Sequence, residues 1–441
     1  MFAPAPREYT ARPMPSSSLL HDQLDALWRI ESPRIIAPLV RLTRDLGLAE
    51  EAAQEALAAA LQSWPEAGTP DNPAAWLAAT ARRRAIDRIR RDRAERRALE
   101  AAALTPRADP DAALDEADTR LDGAPEDDVL RLIFMACHPA LPDDSRAALA
   151  LRLVCALTVP EIARAYLSTD ATIAQRIVRA KRTLAENGVA FEVPTGAELP
   201  ARLASVLEVI YLVFNEGYAA TSGPDWTRPT LCEEALRLGR MLAALMPRRA
   251  HTEDLGEVHG LVALMELQAS RLSARTDRSG APILLMEQDR SRWDHVHIRR
   301  GLAALDEAHR FGPGVYTLQA EIAACHARAR TAAETDWHAI VSLYTQLFGL
   351  VPSPVIALNL AVAAGMASGP EEGLRRADAV AHHPALRAYH LLPSVRAEFL
   401  KRLGRAEEAK REFERAAALA RNEPERQLLL RRAIDCDPAR A

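Results

Sequence analysis

The feature that most limits what this sequence can fold into is a stripe of apolar residues at helical spacing. The stripe lies within residues 170–186, and three or four positions separate each member from the next. Its members are Ile173, Ile177, Ala180 and Leu184. Thr169 stands directly before this segment, where its hydroxyl can cap a helix. The pattern predicts an amphipathic helix, which buries its apolar side only by packing against other elements.

The composition favours helices along the whole chain. Of the 441 residues, 49% are hydrophobic but only 5% are aromatic, and Ala, Leu and Arg dominate. These three residue types favour helices over strands. The segment VIYLVF at 209–214 could pass for a strand, although apolar residues from Leu203 to Phe214 keep helical spacing. We therefore predict an all-α fold of about two to four domains.

Nothing in the sequence predicts export or a membrane anchor. Residues 1–18 lack the apolar core of a signal peptide and are predicted to be a disordered lead. No apolar run approaches the roughly 18 residues that a membrane span needs. Five widely spaced cysteines without a CxxC pair favour reduced thiols over a disulfide framework or a zinc site. The sequence thus predicts a cytoplasmic protein with no metal and no other cofactor.

Charge is strongly clustered, although the formal net charge is only −4. Residues 77–99 hold nine Arg against three acids, and residues 104–128 hold nine acids against two Arg. A basic helix followed by an acidic segment containing prolines is typical of a nucleic-acid-facing element and a linker. For the arginines alone, a solvated helix face is an equally good interpretation.

Several helices are predicted around these charged segments. A helical pattern over residues 24–46 is interrupted near Pro33 and Pro38. A strong helix follows over residues 49–64, with acids in its first turn. Shorter helices are predicted at residues 129–137, 144–156, 159–166 and 170–186.

The last two of these helices have the form of a helix-turn-helix. Thr158 and Glu161 make a capping box at the start of the first, and Thr169 caps the second. The outer face of the second helix is polar and basic, with Gln175, Arg176, Arg179 and Arg182. Two packed core helices would show similar periodicity, but they would not need this basic face.

The C-terminal part of the sequence repeats with a period near 34 residues. GPEEGL at 369–374 and GRAEEA at 404–409 lie 35 residues apart. Tyr344 and Phe413 lie 69 residues apart, about twice that period. Small and aromatic residues at this period are typical of tetratricopeptide (TPR) helix pairs, so residues 331–441 are predicted to be TPR-like.

Residues 24–186 resemble a bacterial RNA polymerase sigma factor of the extracytoplasmic-function group. LAEEAAQEALAAAL is similar to the helix by which that family binds the polymerase clamp. NPAAWLAATARRRAIDRIRR resembles its promoter-melting helix, and TVPEIARAYLSTDATIAQRIVRAKRTL resembles its promoter-reading helix-turn-helix. Residues 199–441 resemble the TPR-like extension of one subgroup. The implied domains are a lead (1–18), sigma region 2 (19–99), an acidic linker (100–128), sigma region 4 (129–190), a helical extension (199–330) and TPR-like repeats (331–441).

The resemblance also implies which residues meet core RNA polymerase and promoter DNA. The polymerase-binding residues would be Glu51, Gln54 and Glu55. The minus-ten element would be captured and held by Asp71, Asn72, Trp76, Arg82, Arg83, Arg84 and Arg88. The minus-thirty-five element would be approached by Thr172, Gln175, Arg176 and Arg179, with Arg182 at a phosphate. Core packing would also explain Trp76 and Thr172.

The sequence offers little evidence for catalysis. It contains no phosphate-binding glycine loop, zinc-protease motif or nucleophile elbow. Its few histidine and cysteine pairs lack a second pair at metal-binding spacing. Two segments could line a ligand pocket or dock on the sigma domains, and their residues are Asn215, Glu216 and Tyr218, and Asp289, Arg292 and Trp293. A helix C-cap at Gly217 and an interhelical ion network would explain the same residues.

Three functions remain open from the sequence. The first is a sigma factor that directs promoter-specific initiation and is regulated by intramolecular contact between its C-terminal array and its sigma domains. The second is a helix-turn-helix regulator with a TPR-type sensor that does not bind the polymerase clamp. The third is an enzyme or ligand-binding domain fused to a DNA-binding module. The AEEAAQE helix before the NPAAW helix favours the first, because a simple regulator has no need of it.

Overall fold

The computed structural model describes residues 17–102, 125–166, 168–221, 225–246 and 252–436. Within these ranges it contains eighteen α-helices and no strand. A single isolated bridge joins Thr276 to Pro282. The all-α prediction is therefore confirmed. Most of the predicted disordered lead (1–18) and most of the predicted acidic linker lie outside the described residues, while Ser17 and Ser18 begin the first helix.

The described residues form two compact units. The first comprises the residues up to Ala136 together with Leu149–Thr158 and Ile177–Val193. The second comprises Cys137–Ala148, Val159–Arg176 and the residues from Pro194 onward.

Four long helices account for most of the first unit. They are α1 (Ser17–Thr43), α2 (Leu46–Ala67), α3 (Pro73–Ala102) and α4 (Pro125–Ala136). α1 packs against the other three, and α2 also packs against α3. Their apolar stripes meet in a core that includes Ile36, Ala53 and Leu77.

Three further helices follow along the chain. They are α5 (Asp143–Leu153), α6 (Val159–Ala165) and α7 (Asp170–Glu186). α5 and α7 each contribute residues to both units. α6 and α7 are separated by only four residues, as a helix-turn-helix requires. All four members of the predicted apolar stripe on α7 are buried.

α1 corrects the prediction for the N-terminal segment. It is one continuous helix, so the expected interruption near Pro33 and Pro38 is wrong. A proline inside a helix removes one backbone hydrogen bond and crowds the preceding turn. Between and after these prolines, Ile35, Ile36 and Leu39 are buried. Their burial offsets the lost backbone hydrogen bonds.

α2 also begins earlier than the sequence predicts. Asp45 caps it, because its carboxylate accepts a hydrogen bond from Leu48 N at 3.0 Å. The first turn therefore contains no acid, and the prediction of acids there is wrong. Glu50 and Glu51 lie one turn further on, where Glu50 is buried and Glu51 is exposed.

Eleven helices make up most of the second unit. They are α8 (Leu199–Tyr218), α9 (Pro229–Leu245), α10 (Thr252–Ala269), α11 (His295–His309), α12 (Val315–Arg328), α13 (Trp337–Leu350), α14 (Pro354–Ser368), α15 (Pro370–Val380), α16 (Leu391–Arg402), α17 (Ala406–Leu419) and α18 (Glu423–Ile434). Each packs against the next along the chain. The VIYLVF segment lies inside α8, so its helical interpretation is confirmed.

Each repeat segment has a glycine with positive φ close to the start of a helix, at the N-cap position for Gly369 and two residues before the helix for Gly404. Gly369 has a φ of 104° and precedes α15, whereas Gly404 has a φ of 75° and precedes α17. Both conformations lie in the region that favours glycine. Between them, Phe399 of α16 packs so closely on Gly365 and Gly373 that an added Cβ would lie 2.4 Å from its ring.

In the described part of the chain, no helix is both long and apolar enough to cross a membrane. The five cysteines remain thiols, and all except Cys325 are buried.

Candidate nucleic-acid interface

α7 carries all five residues predicted to approach the minus-thirty-five element. The side chains of Thr172, Gln175, Arg179 and Arg182 are exposed, and that of Arg176 is partly exposed. This exposure follows from the stripe that begins at Ile173, because burial of that stripe turns the remaining positions outward. An exposed, cationic helix face is what major-groove recognition requires.

Two of these residues also form contacts within the protein. Arg176 lies 3.2 Å from Asp144, and Arg182 lies 3.5 Å from Glu186. Both pairs are largely exposed, so they hold the arginines only weakly. A DNA phosphate or base edge can therefore replace either carboxylate at small cost.

The predicted cap of α7 is confirmed. The Thr169 hydroxyl accepts a hydrogen bond from Thr172 N at 3.2 Å. The two threonine hydroxyls lie 2.8 Å apart, so the Thr172 side chain also joins the cap. This arrangement fixes the N-terminal turn of α7, the part of a recognition helix that reaches base edges.

α3 presents the predicted minus-ten arginines on its outer side. Arg83, Arg84 and Arg88 are exposed, whereas Arg82 is half-buried. Arg88 lies 3.3 Å from Asp92 one turn along the helix. On the opposite side Leu77, Ala81 and Ala85 are fully buried. α3 is thus amphipathic in the way the sequence predicts, with its arginines on the solvent side.

Asn72 and Trp76 have structural roles at the start of α3. The Asn72 side chain accepts a hydrogen bond from Ala75 N at 3.1 Å and so caps the helix. The half-buried Trp76 ring meets Trp64 edge to face, with centroids 5.4 Å apart. Asp71 is exposed beside them. The structure therefore brings an exposed acid, a capping amide and a partly accessible indole to one end of α3.

The predicted polymerase-binding residues lie together on one side of α2. Glu51 and Glu55 are exposed, and Gln54 is partly exposed. Glu55 lies 3.9 Å from Arg84, so the acidic face of α2 borders the arginine face of α3. The sequence predicts a polymerase-binding surface on α2 and a separate DNA-binding surface on α3. In the structure these two surfaces are adjacent.

Glu50, which sequence reasoning missed, is the most heavily engaged acid of α2. Its carboxylate accepts a hydrogen bond from Arg152 Nε at 2.6 Å and another from Lys181 Nζ. Burial alone would raise the pKa of Glu50, but the charges of Lys181 and Arg152 outweigh it and lower that pKa. This cluster joins α2 to α5 and α7 within the first unit. The signal available in the sequence was Lys181 itself, since only 3 of 56 basic residues are lysines.

A second contact joins α1 to α4 in the same unit. Arg41 lies 3.3 Å from the buried carboxylate of Asp128, which also accepts a hydrogen bond from Arg131 at 2.6 Å. Asp128 is part of α4, although the sequence assigns it to the acidic linker. A cavity of about 680 Å³ lies nearby, between the end of α1 and the end of α7.

In the second unit, two buried arginines connect the residues around α5 and α6 to the C-terminal helices. Arg146 of α5 donates to the Ser205 hydroxyl of α8, and that hydroxyl donates to Cys137 O at 2.7 Å. Arg228 donates to Ala165 O, the last residue of α6, at 2.6 Å and also pairs with Glu216. Both arginine side chains are only 8% exposed, and Arg146 also pairs with Asp143 and Glu208.

The residues predicted to form a C-terminal docking or ligand site do not form one cluster. Asn215 is partly exposed, and Glu216 binds Arg228. Asp289 accepts a hydrogen bond from Ser291 N, and Arg292 donates to Ser273 O. Tyr218 and Trp293 are brought together, because the Arg271 guanidinium lies 5.7 Å from each ring.

None of the predicted histidine pairs is arranged as a metal site. His297 Nδ1 lies 2.6 Å from Glu266, and His383 accepts a backbone hydrogen bond from Ala385. Within the described ranges, no group of three or more His, Cys, Asp or Glu side chains could hold a metal ion.

Comparison with known proteins identifies the two DNA-facing parts of the chain. The Sigma-70 region 2 family matches residues 27–95, which include α2 and most of α3. The Sigma-70 region 4 family matches residues 131–184, which include α6 and nearly all of α7. An uncharacterized protein of Rhizobium meliloti (strain 1021) is 45% identical over 398 residues, covering 89% of this chain and 91% of the relative. The chain belongs to the sigma-70 family.

This sigma-70 family factor carries an additional C-terminal domain. A family of unknown function, DUF6596, matches residues 202–309, from α8 to the end of α11. The two sigma regions support a role in transcription initiation, with DNA as a partner, and point away from catalysis. They also imply a second partner, core RNA polymerase.

Proposed function

We propose that the protein is a sigma factor of the extracytoplasmic-function group that directs core RNA polymerase to a particular class of promoters. One observation carries this proposal. The match to sigma region 4 ends in a capped helix, α7, whose solvent face holds Gln175, Arg179 and Arg182. The match to sigma region 2 independently contains the acidic face of α2 beside the arginine face of α3.

On this account each surface has one task. The exposed acids of α2 and Gln54 bind the polymerase clamp. The arginines of α3 hold the backbone of the minus-ten strand, while Asp71, Asn72 and Trp76 receive an extruded base. α7 reads the minus-thirty-five element, with Arg179 at a base edge and Arg182 at a phosphate. Catalysis and cofactors have no part, and the protein acts in the cytoplasm, where core polymerase is found.

Binding to core polymerase tests the clamp surface directly. We expect the full-length protein to co-elute with purified core enzyme in gel filtration, and the triple change Glu51→Ala, Gln54→Ala and Glu55→Ala to abolish co-elution. Asp306→Ala, which removes an exposed acid of α11, is the matched control. Normal co-elution of the triple variant would show that these three residues do not form the clamp contact. Absence of co-elution of the wild type would favour a regulator that does not bind polymerase.

We further propose that the C-terminal extension, including its TPR-like helices, regulates the sigma regions by supporting region 4 rather than by covering it. Thr172 and Gln175 belong to the same compact unit as the C-terminal helices and are exposed among the described residues, which argues against masking. Arg146 and Arg228 meanwhile make buried hydrogen bonds that join region 4 residues to the C-terminal helices. Removing one partner of a buried ionic hydrogen bond leaves the other uncompensated.

The supporting role predicts that Arg228→Gln impairs transcription although it lies outside both sigma regions. We expect a drop of about fivefold to tenfold in run-off transcript, because Ala165 O and Glu216 lose their cationic partner. Arg299→Gln, an exposed change on α11, should leave transcription unchanged. Increased transcription from Arg228→Gln would instead mean that the extension inhibits.

A further inference from the structure

Three arginines of the C-terminal domain converge on aromatic rings far along the chain from the sigma regions. Arg275 stacks on the Tyr218 ring at 3.8 Å and lies 5.3 Å from Trp226. Arg271 lies between the rings of Tyr218 and Trp293, and Arg290 lies 5.0 Å from the Trp293 ring. We call these arginines and rings the arginine-aromatic cluster.

Among the described residues, no carboxylate forms an ion pair with the arginines of the cluster. The charge of Glu334 acts on Arg290 from further away. Arg290 donates hydrogen bonds to His326 O, Ala329 O and the Thr335 hydroxyl. In the described part of the chain, no Asp or Glu oxygen lies within 4.0 Å of the guanidinium nitrogens of Arg271, Arg275 or Arg290. Nearby arginines differ, since Arg228 pairs with Glu216 and Arg240 with Glu266. Half-buried cations normally have a paired carboxylate, so its absence at Arg271 and Arg275 is unusual.

Neighbouring groups experience the same positive potential. Burial lowers the pKa of His326 to about 3, and the charges of Arg271 and Arg290 act in the same direction. Burial also lowers the pKa of Arg275, and the charge of Arg271 lowers it further. The cluster is therefore a region where a negative charge would be stabilised.

Several hydrogen-bond donors of the cluster are buried without an acceptor from the protein. They are Nε of Arg271, Arg275 and Arg290, and Nε1 of Trp226 and Trp293. Stacking on an aromatic face leaves the N–H groups of a guanidinium directed sideways, in its own plane. Buried donors of this kind are rare unless an acceptor accompanies them. Arg271, Arg275 and Trp226 are the partly exposed members of this set. An anion that reached their donors would satisfy them, whereas an apolar or cationic ligand would not.

The cluster can be reached from solvent. Arg271, Arg275 and Trp226 are partly exposed, while Tyr218 and Trp293 form its buried floor. Tyr344 is also partly exposed. Tyr344 is near enough for the charge of Arg271 to act on its hydroxyl, although burial raises the pKa of Tyr344 to about 12. Its hydroxyl therefore stays neutral and can donate to a ligand.

We propose that the arginine-aromatic cluster binds a small anion bearing carboxylate or phosphate groups, held by Arg271 and Arg275 against Tyr218 and the two indoles. The planar forks of two arginines match the paired oxygens of both groups. This site belongs to the C-terminal domain and does not depend on how the sigma regions bind DNA.

Calorimetric titration of the full-length protein tests this site with two probes, inorganic phosphate and citrate, at constant ionic strength. We expect saturable binding of at least one probe, and the probe that binds identifies phosphate or carboxylate as the preferred group. Arg271→Gln and Arg275→Gln should each weaken binding about tenfold or more. Arg299→Gln, on an exposed face of α11, should leave it unchanged.

Two results would overturn the proposal. One is the absence of saturable binding of either probe to the wild type. The other is an affinity in both glutamine variants that equals that of the wild type. Should a glutamine variant fail to fold by circular dichroism, Arg271→Lys takes its place, because it keeps the charge but loses the fork. Its affinity should fall at least severalfold, and unchanged affinity would also contradict the proposal. Polymerase is absent from the assay, so its outcome is separate from that of the sigma-factor proposal.

Discussion

The Glu50 carboxylate accepts a hydrogen bond from Arg152 Nε at 2.6 Å, although the two residues are 102 positions apart in the chain. Lys181 donates to the other carboxylate oxygen. Glu50 lies on the helix that carries the proposed clamp surface, and Lys181 lies on the proposed recognition helix. The contact therefore ties sigma region 2 to sigma region 4 within one compact unit.

Replacing Glu50 should loosen this contact in a pH-dependent way. The pKa of Glu50 is lowered in the folded protein, so its stabilising effect is complete above its ordinary value of 4.5 and is lost as the pH falls through the folded-state value. At pH 7 we expect Glu50→Gln to cost about 2–3 kcal/mol, because Arg152 and Lys181 lose their counter-charge.

Thermal unfolding and amide hydrogen exchange of α2 and α7 measure this effect between pH 3 and 7. The difference between wild type and Glu50→Gln should shrink as the pH falls below 4.5. The neighbouring exposed residue supplies the control, because Glu51→Gln removes the same charge without a buried partner. A pH-independent difference would show that the carboxylate charge is not responsible.

Arg179→Ala should weaken promoter binding selectively. Its side chain is exposed on the same face of α7 as Gln175, where we place a base contact. Loss of a base contact costs about 1–3 kcal/mol on the cognate sequence and little on random DNA. Arg182→Ala serves as the comparison, since loss of a phosphate contact should weaken binding to both sequences equally and reduce the salt slope by about 1. Equal losses on both sequences for Arg179→Ala would make it a phosphate contact too.

Substitutions at Trp76 distinguish a base-stacking role of its ring from a role in the core. Its ring is half-buried against Trp64, so both roles are compatible with its position. If it stacks on a base, Trp76→Ala should reduce promoter melting by about tenfold, and Trp76→Phe should restore most of it. Permanganate reactivity of unpaired thymines at the minus-ten element measures melting. A fall in thermal stability with unchanged melting would assign Trp76 to the core.

The C-terminal helices depend on close packing between Phe399 and two glycines. A Cβ at Gly365 would lie 2.4 Å from the Phe399 ring, so Gly365→Ala should destabilise the domain by about 1–3 kcal/mol. Gly349→Ala is the matched control, because nothing lies within 4 Å of its Cβ position. There, higher helix propensity should stabilise the protein by up to about 1 kcal/mol. Thermal melts should show a lower unfolding temperature for Gly365→Ala and a higher one for Gly349→Ala. A shift of both unfolding temperatures in the same direction would refute the packing argument.

Local features of the fold could be predicted well from the sequence. The cap at Thr169 and the stripe from Ile173 to Leu184 involve neighbours in the chain, so short-range chemistry determines them. The continuity of α1 through Pro33 could not be predicted, because it depends on burial against helices distant in sequence.

The same division applies to the candidate sites. The exposed residues of α7 follow from helical periodicity, and their exposure was predictable. The pairing of Glu50 with Lys181, 131 positions away, depends on tertiary packing. So does the meeting of Arg271 with Tyr218 and Trp293, which the sequence shows only as separate charged and aromatic segments.

Run-off transcription with purified core RNA polymerase tests the central claim most directly. The full-length protein is added to core enzyme with fragmented genomic DNA from its source, and the transcript starts are mapped. We predict defined starts from a shared promoter class, lost with the triple alanine variant of Glu51, Gln54 and Glu55 and reduced by Arg179→Ala. Absence of any protein-dependent transcript, with core enzyme proven active by another sigma factor, would contradict the assignment of this chain as a promoter-specificity subunit.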